Sequence, residues 1–318
     1  MNYDIFNGDA DGIIALLQLR LANPLESTLI TGVKRDIELV NQHEFEAGDQ
    51  LTVLDISFAK NRDGIEKALK AGASIHYIDH HRSGELFKHK QLKTNINQDI
   101  NTCTSLIVDN LLNQKFHLWA ITAAFSDNLS EKAAMLAKEA GLTEQQTEQL
   151  AELGLLINYN SYGSSLDDLN IQPEILYKTL LKYPSPFDLL NDPESPYLQL
   201  RDAYQADLLK LEEVEVKPYT ETLQVYFLPN ERWARRISGV FINQKANEEP
   251  NSAHVVLTEK QDYTYLVSLR APLNNKHSAG EICSQFPTGG GRGAAGGINQ
   301  LQRQDLSELL NVIAFYYH

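Results

Sequence analysis

Short apolar runs alternate with helix-spaced apolar positions along the first 80 residues. The runs at 3–6, 28–33, 51–56 and 74–78 read as buried strands. Between them, 12–21 and 61–71 carry apolar residues at helical spacing, the second ending at Gly72. Strands that alternate with helices predict a parallel sheet built through right-handed crossovers. From 104 to about 159 the period becomes helical throughout, with helices predicted over 104–112, 117–125, 131–139 and 143–156. Thr143 and Gln146 have the spacing of a capping box at the head of the last one. Proline-rich turns at Tyr183-Pro184-Ser185-Pro186 and Asn191-Asp192-Pro193 close this region. A long polar helix is predicted over 196–216, followed by strands at 221–227, 237–242, 254–258 and 263–270, a glycine-rich loop at 289–297 and a last helix from 305. The expected architecture is α/β: an N-terminal domain over 1–190 with a parallel sheet flanked by helices, a helical linker over 191–218, and a smaller C-terminal α/β domain over 219–318.

Composition narrows this only a little. At 318 residues the chain is long for one core, which fits two domains. No apolar stretch reaches the ~18 residues that a membrane span needs. The start Met1-Asn2-Tyr3-Asp4 lacks the basic and apolar parts of a signal peptide. Cys103 and Cys283 are too few for a disulfide framework. A cytoplasmic protein with no membrane partner is expected. Charge tells more. Residues 1–219 carry the whole net charge of −14, whereas 220–318 hold 9 basic and 9 acidic residues. An acidic body lacks the basic groove that long nucleic acid requires. It can still take a small anion, because bound cations and a few arginines reverse the local field. The sequence leaves a homodimer open.

The candidate chemistry lies at the ends of the predicted strands. Asn7-Gly8-Asp9-Ala10-Asp11-Gly12 follows the first strand, and Asp55 lies at the end of the run that holds Val53 and Leu54. Asp79-His80-His81 follows Tyr77-Ile78, and Phe125-Ser126-Asp127 closes a helix. Singly, an Asp in a glycine turn is a turn former, and one after a strand is a helix cap. Together and in order they mean more, because ligands in a parallel sheet bind beyond the carboxyl ends of the strands. Carboxylates mixed with imidazole suit Mn²⁺ or another first-row cation better than Ca²⁺. A carboxylate such as Asp55 can bridge two cations ~3.5–4 Å apart. At the other end of the chain, 289–297 holds six glycines in nine positions around Arg292. Such turns expose backbone N–H groups that can cradle phosphate. Arg270 and Ser268 end the strand just before it.

These motifs resemble the DHH phosphoesterase superfamily, with the glycine run similar to its DHHA1 domain, and the resemblance covers nearly the whole chain. It implies that Asp9, Asp11, Asp55, His80 and Asp127 ligate metal, with Asp55 bridging. His81 would sit beside the scissile phosphate as donor or proton carrier, and Asp79 would orient a histidine from behind. Arg270, Ser268, Gly289, Gly290, Gly291 and Arg292 would grip the substrate end away from the metals, in a cleft between the domains. Two positions depart from the pattern. Asn7, or Ile5 in the His-type spacing, stands where the family usually opens its first motif with a charged or imidazole ligand, and Asn7 offers at most a neutral amide oxygen to one metal. Arg292 replaces the usual His after three glycines, a planar cation suited to phosphate or to a guanine edge.

The implied function is a two-metal phosphodiesterase of the nanoRNase-like or pGpG type. Its cofactors would be two divalent ions, Mn²⁺ first and Mg²⁺ or Co²⁺ as the other candidates. Its expected substrate is a short linear oligonucleotide, best a 5′-phosphorylated dinucleotide such as pGpG, released as mononucleotides. The alternatives are a RecJ-type single-strand exonuclease, a cyclic dinucleotide or pAp phosphohydrolase, and a catalytically weak nucleotide-binding module.

Overall fold

The computed structural model describes the backbone of residues 1–318 and the side chains of all but 212, 213, 215 and 216. It divides into two compact units, Met1–Asp202 and Ala203–His318.

The first unit holds strands β1 (Asn2–Phe6), β2 (Thr28–Ile30), β3 (Gln50–Leu54), β4 (Ser74–Asp79) and β5 (Leu92–Ile96). Its helices are α1 (Ala10–Ala22), α2 (Phe58–Ala71), α3 (Thr104–Leu111), α4 (His117–Ser126), α5 (Ser130–Glu139), α6 (Glu144–Tyr159), α7 (Pro173–Leu180) and α8 (Pro186–Asn191). The sheet is parallel throughout, in the order β2-β1-β3-β4-β5. The chain therefore starts in the middle, builds one neighbour, and crosses to the other side between β1 and β3. Such a switch point opens a crevice at the carboxyl edge. The register is flush there: Phe6 pairs with Leu54, Leu54 with Ile78, and Asp79 with Ile96.

Helix α1 buries Ile13, Ile14, Ala15, Leu16 and Leu17 completely. It contacts β1 and β3 together with α3, α4, α6 and α7, so it needs an apolar surface nearly all round. Near its end, Arg20 is tied to Asp4 on β1 and to Thr52 on β3. Helix α2 ends as predicted, with Gly72 at φ 98°. Both halves of the Thr143–Gln146 capping box form at α6. Strand β5 was not predicted: Leu-Lys-Thr-Asn-Ile is a half-exposed edge segment with little apolar pattern to read.

Helix α9 (Pro196–Leu209) carries the chain from one unit to the other. It is shorter than the predicted 196–216 helix, because the chain turns into strand β6 (Glu215–Thr220). The second unit continues with β7 (Leu223–Leu228), α10 (Arg232–Glu248), β8 (Ala253–Glu259), β9 (Tyr265–Arg270), α11 (Ala279–Cys283), β10 (Gly289–Gly291), β11 (Ala295–Leu301) and α12 (Leu306–Tyr316). Its mixed sheet has the order β10-β11-β9-β8-β7-β6.

Two sequence expectations fail in this unit. Residues 237–242, expected as a strand, lie inside α10. β7 and β8 pair in parallel, and a parallel pair needs a crossover. The segment Ile237–Ile242, with Ile, Val and Phe among its residues, looked strand-like, but the helical spacing of Trp233, Ile237, Val240 and Phe241 suits a helix packed on β8 and β9. The glycine-rich segment is not a loop. Gly289–Gly291 and Ala295–Leu301 pair as antiparallel strands, with Arg292 in the tight connection between them. A Cβ at Gly289 would lie 1.8 Å from the Cys283 carbonyl oxygen, and one at Gly296 2.4 Å from that of Ala279. These two glycines let α11 lie directly on the hairpin.

No helix among the described residues is long and apolar enough to cross a membrane.

Candidate metal centre

The turn after β1 is the tightest part of the carboxyl edge. Asn7 Oδ1 accepts from the Asp9 N–H at 3.0 Å, and its Nδ2 donates to the Lys34 carbonyl at 3.1 Å. A Cβ at Gly8 would lie 1.8 Å from the Gly32 oxygen, and one at Gly12 2.2 Å from the Asn7 oxygen. Both positions therefore require glycine. Asp9 then caps α1, with Oδ1 accepting from the Gly12 N–H at 3.1 Å. Its Oδ2 lies 2.5 Å from Lys34 Nζ.

Asp11 does a second job. Its Oδ2 accepts from the Thr104 N–H at 2.7 Å and its Oδ1 from the Ser105 N–H at 2.8 Å. It thus satisfies the buried head of α3, a role that Cys103 at the N-cap cannot fill. Thr104 Oγ1 donates to Asp55 Oδ1 at 2.9 Å. Asp55 sits just beyond β3 with φ 58°, in the left-handed region. Asp is one of the few residues other than Gly that tolerate it.

The two histidines are oriented from behind. His80 Nδ1 donates to the Thr102 carbonyl at 2.9 Å. This leaves Nε2 as the lone-pair nitrogen, 3.4 Å from Asp55 Oδ1, 3.7 Å from Asp127 Oδ2 and 3.8 Å from Asp11 Oδ2. His81 Nδ1 lies 2.7 Å from Asp79 Oδ1, and Asp79 is completely buried. The paired carboxylate fixes the His81 ring and its tautomer. Asp127 follows the last turn of α4.

Two sets of side chains could hold a cation: Asp55, His80 and His81, and Asp11, His80 and Asp127. Asp9 borders them closely enough to repel Asp55. Asn7 shapes the turn beside these sets through its two hydrogen bonds.

The electrostatics point the same way. Burial, then Asp11, Asp9, Asp79 and Asp127, push the Asp55 carboxyl well above its ordinary value. Burial also pushes Asp9 upward, but Lys34 and the Gly12 N–H outweigh it and hold Asp9 at about 2. A buried group of carboxylates around an imidazole with its lone pair turned inward fits a divalent first-row cation. The metal-free chain should register this strain. Asp55 is protonated more readily folded than unfolded, so its contribution to stability is full below 3.8, its ordinary value, and is lost as pH rises. Asp9 has the opposite sign, and its contribution is lost only as pH falls toward about 2. Between about pH 4 and pH 8 the metal-free melting temperature should fall more steeply for the parent chain than for Asp55→Asn, and Mn²⁺ at the upper pH should reverse the fall. Parallel curves for the two proteins would show that Asp55 carries no such strain.

The remaining sequence candidates lie in the second unit. Ser268 is buried in β9, paired with Val256 and Gly297. Arg270 Nε donates to Asn243 Oδ1 at 2.7 Å. Arg292 is exposed at the tip of the β10–β11 hairpin. Arg236 makes a two-pronged, partly buried pair with Asp207 at 2.9 and 3.0 Å. Trp233 is buried and donates to Glu231.

Sequence reading missed Lys34 and Asn158. Asn158 Oδ1 accepts from Lys34 Nζ at 3.1 Å, and its Nδ2 donates to the Ser126 carbonyl. The available signal was position: Lys34 lies just beyond β2, on the same edge as the aspartates.

A parallel-sheet unit followed by a mixed-sheet unit is a two-domain α/β fold, consistent with the architecture that the sequence resemblance implies. Among solved structures, the chain is similar to a pGpG-specific phosphodiesterase, PggH, from Vibrio cholerae, with a TM-score of 0.54 and 14% identity over 100% of this chain and 99% of that one. It is similar to the exonuclease RecJ bound to manganese, with a TM-score of 0.60 and 15% identity over 99% and 89%. It also matches an exopolyphosphatase-related protein from Bacteroides fragilis, with a TM-score of 0.51 and 12% identity over 99% and 92%. No protein-family profile matches the chain. No curated protein matches it in sequence.

Proposed function

We propose that this chain is a metal-dependent phosphodiesterase acting on short linear oligonucleotides, with 5′-phosphorylated dinucleotides such as pGpG as the preferred class. The observation that carries the reading is the meeting of Asp11, Asp55, His80, His81 and Asp127 at one sheet edge. Asp11, Asp55, His80 and Asp127 would hold one divalent ion, and Asp9 with Asp55 would reach a second. Such ions, when bound, make a water nucleophilic near neutral pH and offset charge on the phosphate. His81, held by Asp79, keeps its other ring nitrogen for a hydrogen bond or a proton at the phosphate. Thr104 holds Asp55 in place through its hydroxyl. The likeness in fold to a pGpG phosphodiesterase and to RecJ supports the substrate class, and the acidic first unit argues against a long strand.

A panel of dinucleotides, nucleoside bisphosphates, cyclic dinucleotides and longer oligomers, assayed with Mn²⁺, tests the reading. Cleavage should fall steeply from two nucleotides to four or more. Equal rates on a dinucleotide and a long oligomer would replace it with the exonuclease reading, and no turnover on any substrate with the binding-module reading.

We assign substrate recognition to Arg292 in the same scheme. A charge-assisted hydrogen bond contributes ~1.5–3 kcal/mol, so Arg292→Ala should lower kcat/KM by about 10- to 150-fold. Arg292→Lys should lose less, keeping charge without the planar fork. A larger penalty on a diguanylate than on a diadenylate means Arg292 reads a guanine edge, and equal penalties mean it holds phosphate. No penalty on either removes it from the site.

A further inference from the structure

Both cation-holding sets share His80, so a single ion satisfies either of them, and neither includes Asp9. Asp9 is already engaged at both oxygens, by the Gly12 N–H and by Lys34 Nζ. The lysine is built into its place. Its ammonium also donates to Asn158 Oδ1 at 3.1 Å and lies 5.4 Å from the centre of the Tyr162 ring. Its backbone N–H donates to the Ser161 carbonyl at 2.9 Å, and its carbonyl accepts from Asn7. The side chain is only 26% exposed. Five carboxylates line this edge: Asp9, Asp11, Asp55, Asp79 and Asp127. Two divalent ions leave one negative charge over, and Lys34 supplies the missing positive charge beside the carboxylate that the first ion does not reach.

We propose that Lys34 is a built-in counter-ion to Asp9 that competes with the second divalent ion and so sets its affinity. This rests on the two-ion reading above. The first ion would be held by the side chains that meet at His80. A second ion held by Asp9 would compete with the Lys34 ammonium for its carboxylate. Two like charges a few ångströms apart in a partly buried pocket disfavour each other strongly. Lys34 is therefore a positioning residue: it keeps Asp9 ordered at low metal, at the cost of a weaker second site.

Mn²⁺ titration of the metal-free full-length chain by calorimetry is the test. The parent chain should bind two ions in separate steps. Lys34→Met should tighten the weaker step by about tenfold or more and leave the tighter step unchanged. Lys34→Arg, which keeps the charge, should stay near the parent, a difference that a purely structural role would not produce. Lys34→Gln, which can still hydrogen-bond Asp9 and Asn158, gives the same comparison if the Met variant does not fold. An unchanged or weaker second step in the neutral variants, with two steps still present, overturns the role of Lys34 and leaves the phosphodiesterase reading standing. One step, or none, in the parent chain overturns the two-ion reading and this inference with it.

Discussion

Asp55→Asn should lower Mn²⁺-dependent turnover by at least about a thousandfold, the upper end for removing one preorganised electrostatic group. Asp55 is the carboxylate placed to touch both proposed ions, and its Oδ1 already faces both histidines. The same change should raise the melting temperature of the metal-free chain at neutral pH. Burial and four other aspartates press on this carboxylate, and a neutral amide of the same shape relieves them. Asn also tolerates the left-handed backbone at φ 58° and can still accept from Thr104. Asp55→Ala should be equally inactive but less stable than Asp55→Asn, because a strained backbone conformation costs ~1–3 kcal/mol without a residue suited to it. Turnover assays and thermal scans on the two variants check this. Turnover near the parent level with saturating Mn²⁺ would remove Asp55 from the centre.

Asp11→Ala should be as damaging to turnover and opposite in its effect on the fold. Asp11 is 1% exposed, and both its oxygens are taken by the first two N–H groups of α3, at buried Thr104 and Ser105. Removing it orphans two buried donors, each costing about 1–3 kcal/mol unless water replaces the carboxylate. Relief of repulsion on Asp55 offsets part of this. The net loss should be roughly 1–3 kcal/mol in a denaturant titration without metal. Asp11→Asn keeps one acceptor and should fall between. The contrast matters: both aspartates are proposed ligands, yet one strains the metal-free fold and the other supports it. If Asp11→Ala proved as stable as the parent, the cap at α3 would be worth nothing to the fold.

The chain order of the chemistry was legible because strands and helices of the first unit differ in apolar period. The aspartates fall where those periods break. For Asp9, Asp11, Asp55 and Asp79 the shared sheet edge followed from parallel topology, whereas Asp127 reaches it from the end of α4. The second unit was harder to read. A short apolar segment that is helical in place cannot be told from a strand by propensity, and the parallel pairing of β7 with β8 that demands a helix there is a long-range fact. The glycine run was visible as composition, but its glycines answer to α11 packing against the hairpin, which no local window contains.

Within the site, the sequence by itself determined which residues carry oxygen and imidazole donors and that all of them but Asp127 lie beyond the ends of strands. Tertiary structure decided what each donor is bound to before any metal arrives. The strand order places the turn after β1 next to the turn after β3. Asp11 is drawn to the head of α3, 93 residues along the chain, because that helix starts at a cysteine and leaves its N–H groups open. Asp9 meets Lys34, and Lys34 meets Asn158, across 25 and 124 residues. Period and propensity act over a few residues, whereas hydrogen bonds and charge act through space once the sheet has closed.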